Sequence, residues 1–137
     1  MASEKLDTVL KWLPEGLVRV HLDATRDGVR VPRDYAKKDS VILEWGFNLP
    51  RQIADLKVDQ EAISGTLSFD AGFFYCFVPW HAVFAITSPV LDKAGVWLND
   101  ASLRVQRKML EKAGEAANAK LRRKSFGLIQ GGKAGSK

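Results

Sequence analysis

Cysteine is almost missing from this chain: Cys76 stands alone among 137 residues. No disulfide can close within the chain, and a reducing, cytoplasmic setting is the expectation. Histidine is nearly as scarce, with only His21 and His81. Neither has a carboxylate or cysteine at the spacing of a metal site or of a base held by an orienting group, so no catalytic residue and no metal ligand is nominated. Phosphate-cradling glycine loops and nucleophile elbows are missing too, so the sequence nominates neither an enzyme nor a cofactor. Long apolar runs are also missing. The longest, residues 73–86, is interrupted by Pro79 and His81 and falls short of the roughly 20 residues that cross a bilayer. Ser3, Glu4, Lys5 and Asp7 break any apolar start, so no signal peptide and no membrane contact is expected. No repeat occurs at a solenoid period.

What is present fits one hydrophobic core. Hydrophobic residues make up 46% and charged residues 27%, an ordinary globular balance for a chain of this length. The net charge of +5 is unevenly placed. Residues 1–98 hold 11 Lys/Arg against 13 Asp/Glu, and residues 99–137 hold 10 against 3. The basic character therefore belongs to the C-terminal segment. The division suggests a core domain over 1–98 and a basic, partly helical and partly flexible tail over 99–137, ending in the glycine- and lysine-rich stretch 131–137.

Hydrophobic periodicity outlines the elements. Ser3 is placed to cap a helix carrying Leu6, Val9, Leu10 and Leu13, ended by Pro14-Glu15-Gly16. Val18, Val20 and Leu22 alternate with Arg19 and His21 as in a half-buried strand. Asp27-Gly28 is a hairpin signal that predicts Val29–Val31 as the returning strand. Arg33-Asp34-Tyr35 predicts a single helical turn. Further strands are predicted over Val41–Phe47, Gln52–Val58, Ile63–Phe69, Phe73–Val78 and Val83–Thr87, with a turn or bulge at Asp70-Ala71-Gly72 and a corner at Pro79-Trp80. Val90–Leu98 has no clear pattern. Asp100 is placed to cap a last helix, with Leu103, Leu110, Ala113, Ala117 and Leu121 as its apolar stripe up to about Lys124. Many short strands with glycine and proline at the joints predict a mainly β fold, a strongly bent antiparallel sheet or small open barrel, preceded by a helix.

Two features invite a binding reading. The aromatics Phe69, Phe73, Phe74, Tyr75, Phe77, Trp80 and Phe84 can form either a barrel core or a stacking surface for single-stranded nucleic acid. Few basic residues surround them, and phosphate contacts dominate such affinity, so the core reading is preferred. Cys76, between Tyr75 and Phe77, is expected as a buried structural thiol.

Three segments resemble the SspB family of ClpXP protease adaptors, in order and over about half the chain. Residues 22–36 are similar to the family's hairpin and V-x-V-P-x-x-Y motif, here Val29-Arg30-Val31-Pro32-Arg33-Asp34-Tyr35. Val41-Ile42-Leu43 matches the family strand that usually continues into asparagine. Residues 65–73, with Val78-Pro79-Trp80-His81-Ala82-Val83-Phe84-Ala85-Ile86, resemble its v-x-F-x-A-x-F segment and V-P-W-x-A-V corner. The resemblance implies an Sm-like open barrel, a homodimer formed partly through the first helix, and one groove per subunit for C-terminal degradation-tag peptides. By position, Leu43, Glu44 and Trp45 would wall that groove on one side and Ala71, Gly72 and Phe73 on the other. Small residues at 71 and 72 suit close approach of a peptide backbone, or simply a bulge.

The family's tail ends in a basic-aliphatic module that grips the ClpX unfoldase. Leu103-Arg104-Val105-Gln106-Arg107-Lys108 echoes it partially, as does the glycine-basic Gly131-Gly132-Lys133, so Leu103, Arg104, Val105 and Lys133 are the expected tether residues. Glu44 replaces the usual asparagine and Gly72 a common arginine, which should disfavour acidic peptides. The competing class is an Sm-like module that binds RNA through the basic tail. A third possibility is a structural subunit whose tail helix packs on a partner through Leu103, Leu110 and Leu121.

Overall fold

The structure, a computed structural model, describes residues 2–46 and 53–115. The chain divides into two compact units, Met1–Ser102 and Leu103–Lys137. The first unit runs α1 (Ala2–Trp12), β1 (Val18–Leu22), the single turn α2 (Arg33–Ala36), β2 (Val41–Trp45), β3 (Lys57–Val58), β4 (Ala62–Phe69), β5 (Gly72–Pro79), β6 (Val83–Ser88) and β7 (Lys93–Val96). Short 3-10 turns fill Leu13–Glu15, Trp80–Ala82 and Leu98–Asp100. The second unit has helix α3 over residues 103–115.

Two antiparallel sheets, open rather than closed, carry the fold: β2-β1-β6-β7 and β3-β4-β5. This is the mainly β, open-barrel class with flanking helices that the alternation of short strands predicts. β1 shows why a period of two suffices. Val18, Val20 and Leu22 are fully buried, while Arg19 is exposed and His21 is half-buried. Leu43, Trp45, Ile63, Leu67, Cys76, Val78, Val83 and Ile86 join them from both sheets in one core. Trp80 closes its corner, buried, with its indole N–H donating to the Asp59 carbonyl at 2.8 Å.

Several local expectations are corrected. The Asp27-Gly28 signal does not return the chain beside β1, because both edges of that strand are taken, by β2 and β6. The Asp23 N–H instead donates to the Ala82 carbonyl, and its carboxylate receives the N–H of Thr25. The chain then reaches the other sheet, where Arg30 makes one bridge to Phe77. The strand expected over Gln52–Val58 shrinks to Lys57–Val58; Gln52 lies outside the described residues. Asp55 is the reason: it accepts both the N–H and the hydroxyl of Thr66 at 2.8 Å, occupying the ladder position a longer β3 would need. Where no pattern was visible, over Val90–Leu98, β7 forms.

The α1 stripe is also rotated from the expected one. Val9 and Leu13 are buried with Lys5, one turn apart each, while Leu10 is 51% exposed. Lys5 enters because its amine is satisfied inside, by the Trp80 carbonyl at 2.7 Å and the Asp100 carboxylate at 2.6 Å, over the Trp97 ring. A lysine so paired lays its methylenes against apolar neighbours. Asp100 is therefore not a helix cap; it sits in the turn Leu98–Asp100, and α3 begins three residues later. Ser3 lies inside α1 rather than before it.

Candidate peptide-binding surface

β2 and β5 are edge strands, one in each sheet. The two expected walls fall on them: Leu43, Glu44 and Trp45 on β2, and Gly72 and Phe73 at the start of β5, with Ala71 in the turn from β4. Alternation along β2 decides what each can offer. Leu43 and Trp45 point into the core, with 4% and 0% exposure, so their side chains are closed to a ligand. Glu44 faces outward and is held by the Arg19 guanidinium across the strand pair at 2.9 Å. The expected discrimination against acidic peptides rests on this carboxylate together with glycine in place of arginine at 72, and the carboxylate has an exposed, solvent-screened partner. Ala71, Gly72 and Phe73 are exposed, Phe73 at 65%.

Two glycines shape this region. Gly72 adopts φ 126° with nothing within 4 Å of where a Cβ would stand, so backbone conformation rather than crowding selects it. Gly65 on β4 is selected by crowding. A Cβ there would lie 2.7 Å from Ile53 and 3.4 Å from the Trp45 ring, so β4 passes directly beside the β2 tryptophan. The Trp45 indole N–H is buried without a hydrogen-bond partner among the described residues.

The aromatic cluster divides between faces, correcting the expectation that all of it is core. Trp80 and Phe84 are buried. Phe73, Phe74 and Tyr75 are exposed by 65%, 39% and 44%. Phe73, Tyr75 and Phe77 stand on the outer face of β5, opposite Ser68, Thr66 and Ser64 of β4. The alternation that carries Cys76 and Val78 into the core carries these three outward.

Titratable groups here are structural in their surroundings. His21 contacts Thr87 at 3.3 Å and packs edge-on to Phe84. Burial first, and the Arg19 charge second, lower its pKa below 6.5. Burial pushes the Cys76 thiol up to about 12, so it stays a neutral thiol, as expected of a structural cysteine. His81 contacts the Asp27 carbonyl at 3.0 Å. Among the described residues no group of three or more His, Cys, Asp or Glu could hold a metal ion, and no helix is long and apolar enough to cross a membrane. Leu103, Arg104 and Val105 form the first turn of α3. Lys133 lies outside the described residues.

The small open β-domain thus presents edge strands in both sheets and an outward aromatic row on β5. The sequence profile of the family described as SspB, stringent starvation protein B, matches residues 2–125. The chain belongs to that family, which is one of protease adaptors rather than enzymes. No curated protein matches the chain.

Proposed function

We propose that this chain is a dimeric cytoplasmic adaptor that binds C-terminal degradation tags in extended form and delivers their carriers to the ClpXP protease. The supporting observation is that the expected walls of the tag groove fall at edge strands of a protein in this family, 43–45 on β2 and 72–73 at the start of β5, with Ala71 in the turn before it. An edge strand offers main-chain donors and acceptors to an extended peptide, and shallow neighbouring pockets select its side chains. With Leu43 and Trp45 turned inward, the β2 wall contributes its backbone and Glu44, and the opposite wall contributes Ala71, the open space at Gly72, and Phe73.

The tether residues Leu103, Arg104, Val105 and Lys133 belong to the same proposal. Weak tag binding and weak unfoldase binding, joined in one molecule, gain about 10²–10⁴ in avidity.

Fluorescence anisotropy of a labelled degradation-tag peptide tests the groove. Saturable binding at moderate salt is the expected result, with Ala71→Leu weakening it about tenfold or more by filling the space the peptide backbone needs while thermal unfolding stays near that of the parent. Binding untouched by Ala71→Leu would show the groove to be elsewhere.

A further inference from the structure

Arg19 holds one wall residue of the proposed tag groove. It stands on β1 directly opposite Glu44 of β2, and both side chains face outward. One atom of each group makes the contact: the Arg19 Nε donates to the Glu44 Oε2 at 2.9 Å. The two Nη groups of Arg19 and the Oε1 of Glu44 make no hydrogen bond or ion pair among the described residues. With the side chains 46% and 48% exposed, water reaches these free ends, and in the absence of a ligand such a contact contributes little.

Such a pair offers a donor and an acceptor side by side, each with its own charge. A tag aspartate or glutamate set against it gains the guanidinium but meets the carboxylate. A tag lysine or arginine gains the carboxylate but meets the guanidinium. Either way like charges are brought together, and the arriving charge gives up hydration as well. A carboxamide meets neither penalty, because its oxygen accepts from an Nη while its NH2 donates to Oε1. Neighbours on this face do not tip the balance. Thr87, opposite Arg19 on β6, is uncharged. His21, two residues along β1, has its pKa lowered below 6.5, first by burial and then by the Arg19 charge, so it is neutral at neutral pH. Ile42, 54% exposed and two residues from Glu44 on β2, adds apolar surface from which a docked peptide displaces water. Loss of that water strengthens the polar contacts beside it.

We propose that Arg19 is a specificity-determining residue of the tag groove. Together with Glu44 it selects a tag that places an asparagine or glutamine side chain against the pair, over acidic and basic residues alike. This inference rests on the groove reading and deepens it. Glu44 alone would favour basic tags; with Arg19 beside it, the selection turns against charge of either sign.

The test measures anisotropy of the full chain with variants of the labelled degradation-tag peptide in which each position in turn is asparagine, aspartate or lysine. At one position the asparagine peptide should bind the parent chain about tenfold more tightly than either charged peptide, the size of one charge-assisted contact. At that position Arg19→Gln should favour lysine over aspartate by about tenfold, and Glu44→Gln should favour aspartate over lysine. The double variant should bind the two charged peptides equally. Both residues are exposed, so thermal unfolding should stay near that of the parent in all three variants.

The two possible failures read differently. Suppose the peptides bind and Ala71→Leu weakens them, yet asparagine, aspartate and lysine are equivalent at every position. The role of Arg19 is then overturned and the groove stands. An unchanged ratio of lysine to aspartate affinity in Arg19→Gln overturns it in the same way. If no peptide variant binds the parent, the groove reading falls and this inference falls with it.

Discussion

Lys5 shows how little a residue's type says about its place. Its side chain is 2% exposed, yet the amine has a carboxylate, a carbonyl and an indole face around it. Removing one partner of such a pair costs more than the pair itself contributes, because the other charge is left without compensation. Asp100 keeps 35% exposure, so water recovers part of that loss. Urea denaturation should show Lys5→Ala to be destabilised by about 2–3 kcal/mol, and Lys5→Met by less, since methionine keeps the packing of the stem.

His21 gives a second measurable consequence, with a definite sign. Its folded pKa lies below 6.5, so between those two values the unfolded chain holds a proton that the folded chain does not. Stability present above pH 6.5 therefore declines as pH falls through that window. Urea midpoints from about pH 8 to about pH 5 should fall less in His21→Gln than in the parent. Both residues were out of reach of sequence reading for the same reason. The Trp80 carbonyl and Asp100 are brought to Lys5 by the fold, and Phe84 and Thr87 to His21 by the pairing of β1 with β6.

Among the elements, those that follow one strong local signal were legible, and those decided by competition were not. β1, β4, β5 and β6 follow from alternation because each has one buried face. The false hairpin at Asp27-Gly28 and the shortened β3 both lost to distant partners, β6 for one and Thr66 for the other. The positions of the tag-groove walls came from a resemblance in sequence. That Leu43 and Trp45 face inward could be read from the alternation Val41, Leu43, Trp45, but the Arg19 partner of Glu44 could not. It depends on β1 and β2 being neighbours without a hairpin between them.

Gly65 tests how closely the elements pack. A methyl group there meets Ile53 at 2.7 Å and the Trp45 ring beyond it. Gly65→Ala should cost about 1–3 kcal/mol by overpacking, read as a lowered urea midpoint with a shifted Trp45 emission.

For the whole molecule, charge is unevenly divided along the chain. Residues 1–98 are near neutral and residues 99–137 strongly basic, so groove and tether should respond differently to ionic strength. Under the adaptor reading, tag-peptide affinity should change little with salt, while stimulation of ClpXP degradation falls steeply as charges on the tail are screened. Ending the chain at residue 115 should leave tag binding unchanged and reduce the stimulation about tenfold or more, through loss of the tether. A truncated chain that stimulates fully would remove Lys133 from the tether.

The Lys5–Asp100 contact also sets an order of events at the ribosome. Lys5 emerges before its counter-charge exists, because Asp100 is made 95 positions later. Until then the amine has to stay in water, and α1 cannot settle on the Trp80 corner without burying an uncompensated charge. Nearly the whole first unit must therefore be synthesised before its N-terminal helix can dock. A nascent chain stalled before residue 100 holds that helix undocked, with Val9 and Leu13 open to chaperones and proteases.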